Sequence, residues 1–389
     1  MAALTGYRVL EFAGIGPGPF CAMMLADMGA EVIRIDRVSG SARKISVDPT
    51  LDVTARGRQS IALDLKKPEA IAAALRLCTK ADVLIEGLRP GVMERLGLGP
   101  DIVHQHNPRL VYGRMTGWGQ TGPLAQTAGH DINYLAISGS LYLFGRSDER
   151  PSPPLNVVAD MGGGAMMLAY GITCALLERE RTGKGPVIDA SMTEGAALLA
   201  TLIYGQKAMG WWQFERGANL LDSGAHFYEV YATKDDRYIA VGAIEPQFYE
   251  LLLRGLGLDP AAMPAQMDRL HWPALKQRFA EIFRRRTRDE WAAAFARSDA
   301  CVSPVLTPDE AAQHPQALQR GSFMTACGVA HPAPVPRMGA GATVVLAPPP
   351  QTGEHTLQVL RASGFSAAEI DQLQMSGAIH QFDKSRSES

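Results

Sequence analysis

At 389 residues, with 46% hydrophobic and 20% charged side chains, the chain has the composition of a soluble globular protein long enough for two domains. Thirty-eight basic against forty acidic side chains leave a net charge of −2, which removes the electrostatic case for a nucleic-acid partner or an anionic membrane. The five cysteines (Cys21, Cys78, Cys174, Cys301, Cys327) form no Cys-x-x-Cys pair, so neither a zinc site nor a disulfide framework is indicated, a usage that fits a reducing compartment.

In chain order, residues 9–13 read as a buried strand, followed by the glycine-rich turn Gly14-Ile15-Gly16-Pro17-Gly18-Pro19 and a helix over 20–28 that stops at Gly29. A second strand, 31–35, ends at Asp36-Arg37. This β-α-β unit predicts a parallel sheet. A glycine-rich first turn with an acid about 20 residues on suggests a dinucleotide fingerprint, but the spacing is G-x-G-x-G with two prolines, not G-x-G-x-x-G. No nicotinamide cofactor is expected. Glu11 interrupts the N-terminal apolar run, so no signal peptide is expected either.

Residues 61–66 predict a third strand and 68–80 a helix; 83–86 and 110–114 predict two further strands. A glycine-punctuated stretch, 116–129, leads into Gly129-His130-Asp131-Ile132-Asn133-Tyr134 and an apolar helix over 132–137. Thirty residues later Asp160-Met-Gly-Gly-Gly precedes another apolar run, 165–177, ending at Gly183. His130 and Asp160 thus each stand near a helix start, where unpaired N–H groups favour a developing anion. Two readings stay open: a proton-transfer pair, or a scaffold histidine and an N-cap aspartate.

A short strand at 186–189 and a mostly apolar helix over 192–209 follow, then Trp211-Trp212, which suit a partner surface or a core. Near Ala225 the character changes. Strands at 227–232 and 238–243 flank Lys234-Asp235-Asp236-Arg237, a hairpin signal, and helices are expected at 247–253, 275–286 and 289–297. The basic cluster Arg284-Arg285-Arg286 is interleaved with Glu281, Asp289 and Glu290 and reads as a solvated helix face. A proline-rich stretch, 332–350, leads to short helices, one opening with the capping box Ser366-x-x-Glu369 and stopping at Gly377. The organisation expected is a large domain, 1–224, completed by a return of 308–389, and a small domain, 225–307. No stretch reaches the ~18 uncharged apolar residues of a membrane span, and the terminal Ser387-Glu388-Ser389 is not a peroxisomal Ser-Lys-Leu address, so a cytoplasmic location is expected.

Several segments together resemble the α-methylacyl-CoA racemases of the family III CoA-transferase superfamily. They are Gly-Pro-Gly-Pro-Phe-Cys-Ala-Met from Gly16, Leu-Ala-Asp-Met-Gly-Ala-Glu-Val from Leu25, Arg-Ile-Asp-Arg from Arg34 and Leu-Asp-Leu-Lys from Leu63. Arg-Pro-Gly-Val-Met-Glu-Arg-Leu from Arg89, Gly-His-Asp-Ile-Asn-Tyr from Gly129, Arg-Thr-Gly-Lys-Gly from Arg181, Val-Gly-Ala-Ile-Glu-Pro-Gln-Phe-Tyr-Glu from Val241 and Asp-Ala-Cys-Val-Ser-Pro-Val-Leu from Asp299 continue the series. The resemblance runs from residue 1 to about 380 and is weakest in the proline-rich region.

The resemblance implies an α/β fold, a large Rossmann-like parallel-sheet domain with a small α+β domain, in an interlocked homodimer. It implies a base–acid pair at His130 and Asp160 on opposite faces of a thioester α-carbon, Glu245 orienting the histidine, and the Asp131 N–H as donor to an enolate oxygen. CoA would be held by Arg37, Leu63, Asp64, Leu65, Lys66, Arg89, Gly129, Ile132, Asn133 and Tyr134, with no metal and no cofactor beyond the acyl-CoA substrate. Two rivals follow: a CoA-transferase of the same fold with Asp160 as nucleophile, and a non-catalytic CoA-binding protein. His130, and Ala243-Ile244-Glu245-Pro246 where many such transferases carry four glycines, favour the racemase. The 16 methionines fit a pliable acyl-chain wall or an ordinary core.

Overall fold

The computed structural model describes residues 2–38, 48–338 and 346–383; part of the proline-rich stretch and the last six residues lie outside them. The chain divides into two compact units, one built from the residues up to Ser138, Leu155–Leu199 and the stretch from Arg320 onward, the other from Gly139–Pro154 and Ala200–Gln319. The boundaries read from sequence at 224/225 and 307/308 differ from this division, because 139–154, 200–224 and 308–319 go with the second unit. Polar ties far apart in sequence make the difference: Arg146 pairs with the buried Glu229, and Arg216 donates to the Glu149 carbonyl at 2.6 Å.

The first unit is a seven-stranded sheet. Its parallel strands are β1 (Arg8–Phe12), β2 (Glu31–Arg37), β3 (Arg58–Leu63), β4 (Val83–Glu86), β5 (Val111–Thr116) and β6 (Val187–Ser191), in the order β3-β2-β1-β4-β5-β6; the edge strand Ile379–His380 adds antiparallel to β3. Apolar, β-branched runs such as Val9-Leu10 and Val83-Leu84-Ile85 are buried on both faces, as a parallel sheet covered by helices requires. The antiparallel edge strand shows the C-terminal segment returning to the large unit. Helix α1 (Pro17–Asp27) follows β1, with Pro17 at its start and Gly16 as N-cap at φ 72°.

The second apolar run is longer than the sequence suggests. A π-helical segment, Val157–Met166, runs directly into an α-helix, Met167–Thr182, and together they form a 26-residue helix that is long and apolar enough to cross a membrane by length and composition alone. One face of it packs on the sheet: Leu168 and Ile172 lie over Gly113 of β5, where an added Cβ would meet Leu168 at 3.1 Å. The predicted helix 192–209 is instead two, Met192–Leu199 and Thr201–Ala208, broken at Ala200.

The second unit holds a three-stranded antiparallel sheet, β7 (Tyr228–Ala232), β8 (Tyr238–Gly242) and β9 (Val302–Pro304), of which β9 escaped sequence reading because it is only three residues long. The turn between β7 and β8 is the Lys234–Arg237 hairpin, with Asp236 at φ 56°. Helices Pro246–Gly255, Trp272–Phe283 and Arg288–Phe295 cover an aromatic core of Phe227, Tyr231, Tyr249, Phe279, Phe283 and Trp291.

Within that core His226 is fully buried against the rings of Phe227, Tyr249 and Phe279, with Nε2 2.8 Å from the Tyr249 hydroxyl. Burial, and then the Lys276 ammonium, push its pKa down from 6.5 to about 4. A histidine with a depressed folded pKa stabilises fully above its unfolded pKa and loses that contribution as pH falls through the folded one. Between pH 7 and 4 the wild-type unfolding free energy should therefore drop by about 3 kcal/mol from this group. Urea titrations across that window should show the drop in the wild type and not in His226→Phe.

Candidate active site

In a parallel sheet all strand ends of one kind lie along one edge, and ligands bind at the carboxyl edge where the strand order reverses, here between β1 and β4. Most residues singled out from sequence fall along that edge. Arg37 ends β2 in register with Leu63, the last residue of β3. Lys66 stands in the turn beyond Leu63, held there by Asp64, whose carboxylate accepts the Lys66 N–H at 3.2 Å. Arg89 follows β4, and the loop after β5 leads to His130. Arg37, Lys66 and Arg89 are exposed and have no ion-pair partner among the described residues, the condition of cations available to phosphates. Leu63 is 1% exposed and Leu65 packs on the same core, so these two offer a ligand only their main chain.

Asp36, the acid of the apparent dinucleotide fingerprint, is taken up internally. It pairs with Arg34 at 2.9 Å and accepts the Ser60 hydroxyl at 2.5 Å.

His130 is the residue before α2 (Asp131–Ser138). Its carbonyl accepts the Tyr134 N–H, and its own N–H donates to Asn133 Oδ1 at 3.1 Å, so Asn133 at the third helical position closes the backward half of a capping box. These main-chain ties leave the imidazole exposed. Tyr134 is buried and anchors the helix: its hydroxyl donates to the Gly129 carbonyl, and its ring meets Trp118 edge-on at 4.8 Å. Gly117 and Gly129 make room for that ring. A Cβ on either would come within 2.2 and 2.8 Å of it. Ile132 is half-exposed at the second helical position.

The Asp131 side chain, 5% exposed, does what sequence reading did not foresee. Its Oδ2 accepts the N–H groups of Ala159 and Asp160, at 2.9 and 2.8 Å, tying the helix that carries Asp160 to the helix that starts after His130. As the first residue of α2, Asp131 also has its own N–H in the turn where no helical carbonyl is available. Asp160 therefore sits inside the first turn of the π-helical segment, not ahead of a helix, and its side chain caps nothing there; the N-cap position is Asn156. A π-turn is uncommon and often marks a functional site.

Around Asp160, burial and then the Asp131 charge push the carboxyl pKa up, opposed by Asn156 and by the nearby His130. Asn156 Nδ2 lies 3.5 Å from Oδ2, and a Cβ on Gly16 would stand 3.4 Å from the same oxygen. The run Gly162-Gly163-Gly164 has a packing purpose: a Cβ on Gly195 would fall 1.8 Å from the Gly163 carbonyl oxygen, and one on Gly163 2.6 Å from the Ala196 nitrogen. Asn156 and Gly195 carry no sequence signal, because each matters only through a neighbour that the pattern of the chain does not reveal.

Glu245 belongs to the second unit, exposed at the N-cap of Pro246–Gly255 without a capping bond. Among the described residues no cluster of histidine, cysteine, aspartate or glutamate has the makings of a metal site. What the first unit does assemble is an exposed imidazole and a carboxyl whose pKa burial raises, on two helix starts locked by one buried carboxylate. Such a pair can take a proton from one atom and return one to it.

The sequence profile of CoA-transferase family III matches residues 4–356. A mouse protein named alpha-methylacyl-CoA racemase is 49% identical, covering 95% of this chain and 96% of its own. The human protein of that name is 48% identical over the same shares of the two chains. Among solved structures, a CaiB/BaiF family protein from Brucella suis superposes with a TM-score of 0.81 at 26% identity, covering 93% of this chain and 99% of that one.

Proposed function

The chain belongs to CoA-transferase family III, and from that premise we propose that it is a racemase that interconverts (2R)- and (2S)-2-methylacyl-CoA thioesters by 1,1-proton transfer. One observation carries the reading: Asp131 braces Asp160 against the start of the helix behind His130, so an acid and a base are held as one unit. The near-full-length likeness to two racemases supports it. A thioester α-proton is abstractable because the resulting enolate spreads its charge onto oxygen, and the Asp131 N–H is the donor for that oxygen. His130 and Asp160 serve the two faces of the α-carbon, one removing the proton and the other returning one. No metal or organic cofactor is needed for these steps.

Arg37, Lys66 and Arg89 hold the CoA phosphates in this reading, and the Gly129–Tyr134 segment lies along the thioester. The working form is a homodimer. Large exposed apolar side chains on the first unit, among them Ile137, Leu155, Tyr170 and Leu177 at 64–79% exposure, support a second copy as their cover. In that dimer Glu245 of one copy serves to orient the His130 imidazole of the other.

Incubating the protein with (2R)-2-methylacyl-CoA in deuterated water tests the reaction. Both epimers should form, each gaining deuterium at C2. CoA exchange onto an added free acid without α-deuterium would establish a transferase instead.

A further inference from the structure

Arg114 is a buried cation that the proton-transfer steps do not use. It projects from β5, is 7% exposed, and divides its guanidinium between two carboxylates. Nε donates to Glu86 at 3.0 Å, and the two terminal nitrogens grip Glu94 at 2.8 and 3.2 Å. Glu86, the last residue of β4, is 1% exposed and uses its other oxygen to accept the Leu88 N–H at 2.7 Å. Glu94 lies in the short helix Val92–Arg95, which begins after Gly91 at φ 81°. Arg114 therefore holds the turn 87–91 at both ends, and the side chain of Gln126 holds its middle by donating to the Pro90 carbonyl at 3.1 Å. Arg89 stands in that turn.

Stability does not account for the arrangement. Burying a carboxylate–guanidinium–carboxylate set costs desolvation that its attraction roughly repays, and apolar replacements of similar volume are often as stable. What such a set does supply is a fixed geometry, because the planar fork meets two carboxylates in one orientation.

Resting on the reading of Arg89 as a ligand of the CoA phosphates, we propose that Arg114 is a positioning residue for Arg89. Through Glu86 and Glu94 it sets the turn from which Arg89 grips CoA. The phosphate end of the substrate then depends on a clamp that touches neither phosphate nor acyl chain.

The test compares CoA with pantetheine, which lacks the nucleotide phosphates. Affinities for both are measured by calorimetry, and KM is measured for one 2-methylacyl group carried on each. Arg114→Lys, which cannot span both carboxylates, and Glu94→Ala, whose half-exposed carboxylate is removed without stranding a buried acid, should each weaken CoA and raise the acyl-CoA KM about tenfold, the worth of one charge-assisted hydrogen bond. Pantetheine affinity, the KM for acylpantetheine and kcat should not move. Combined with Arg89→Ala, Glu94→Ala should add nothing further. Equal losses on both ligands, a folded Glu94→Ala chain with unchanged CoA affinity, additive effects in the double variant, or CoA affinity intact in Arg89→Ala would each overturn the proposal. A wild-type chain that binds CoA but moves no α-proton would sink the racemase reading and leave the clamp measurable by calorimetry.

Discussion

Replacing Asp160 by asparagine should lower turnover on 2-methylacyl-CoA by ~10²–10⁴ or more, the usual worth of a positioned acid–base group. The substitution is nearly isosteric, and it leaves in place the main-chain bond from residue 160 to Asp131. The Asp160 side chain caps no helix end, so the melting temperature and CoA affinity should stay at wild-type values. His130→Ala should cost as much activity for the same reason. At the start of α2 the hydrogen bonds of His130 are made by its main chain, and among the described residues its exposed imidazole makes no hydrogen bond. Because the two groups act on one proton-transfer path, the double variant should fall little below either single one. Full activity in either single variant would remove the two-base mechanism.

Gly195→Ala should destabilise the first unit by about 3 kcal/mol and lower its melting temperature by roughly 6–12 °C. The atom that a new Cβ would strike, 1.8 Å away, is the Gly163 carbonyl oxygen, part of the backbone and unable to swing aside. The helix Met192–Leu199 and the π-helical segment would have to part, and Asp160 rides on that segment. Activity should therefore fall with stability, even though Gly195 is no part of the acid–base pair. Gly205→Ala is the control. Nothing lies within 4 Å of a Cβ there, and alanine suits a helix interior better than glycine, so stability should hold or rise slightly. Calorimetric melting of the two variants beside the wild type separates the outcomes, and an unshifted Gly195→Ala would contradict the close helix contact.

Local chemistry makes much of the first unit legible in the sequence. Continuous apolar runs such as Val83-Leu84-Ile85 bury both faces of a strand, and Gly-Pro at a strand end opens a helix, so the β-α-β start and its parallel sheet follow from neighbours a few residues apart. The capping box at Ser366 and Glu369 was readable on the same grounds. The ordered series of family segments identified the residues to examine at the site.

What those residues do to one another was decided only in three dimensions. From sequence Asp160 stays open between an acid–base group and an N-cap, because an aspartate before an apolar run suits both. The structure instead places it within a π-turn, since Asp131, twenty-nine residues earlier, claims the N–H groups of Ala159 and Asp160. The glycines at 162–164 read only as the lead into an apolar run, and their purpose, clearance for a helix thirty residues on, is set by that distant neighbour. Likewise Arg114 reads as one more residue of a strand, and only the pairing of β4 with β5 brings Glu86 beside it. Periodicity and capping are short-range properties of the chain, whereas proton bias, close helix approach and a buried clamp depend on groups that meet only after the sheet has formed.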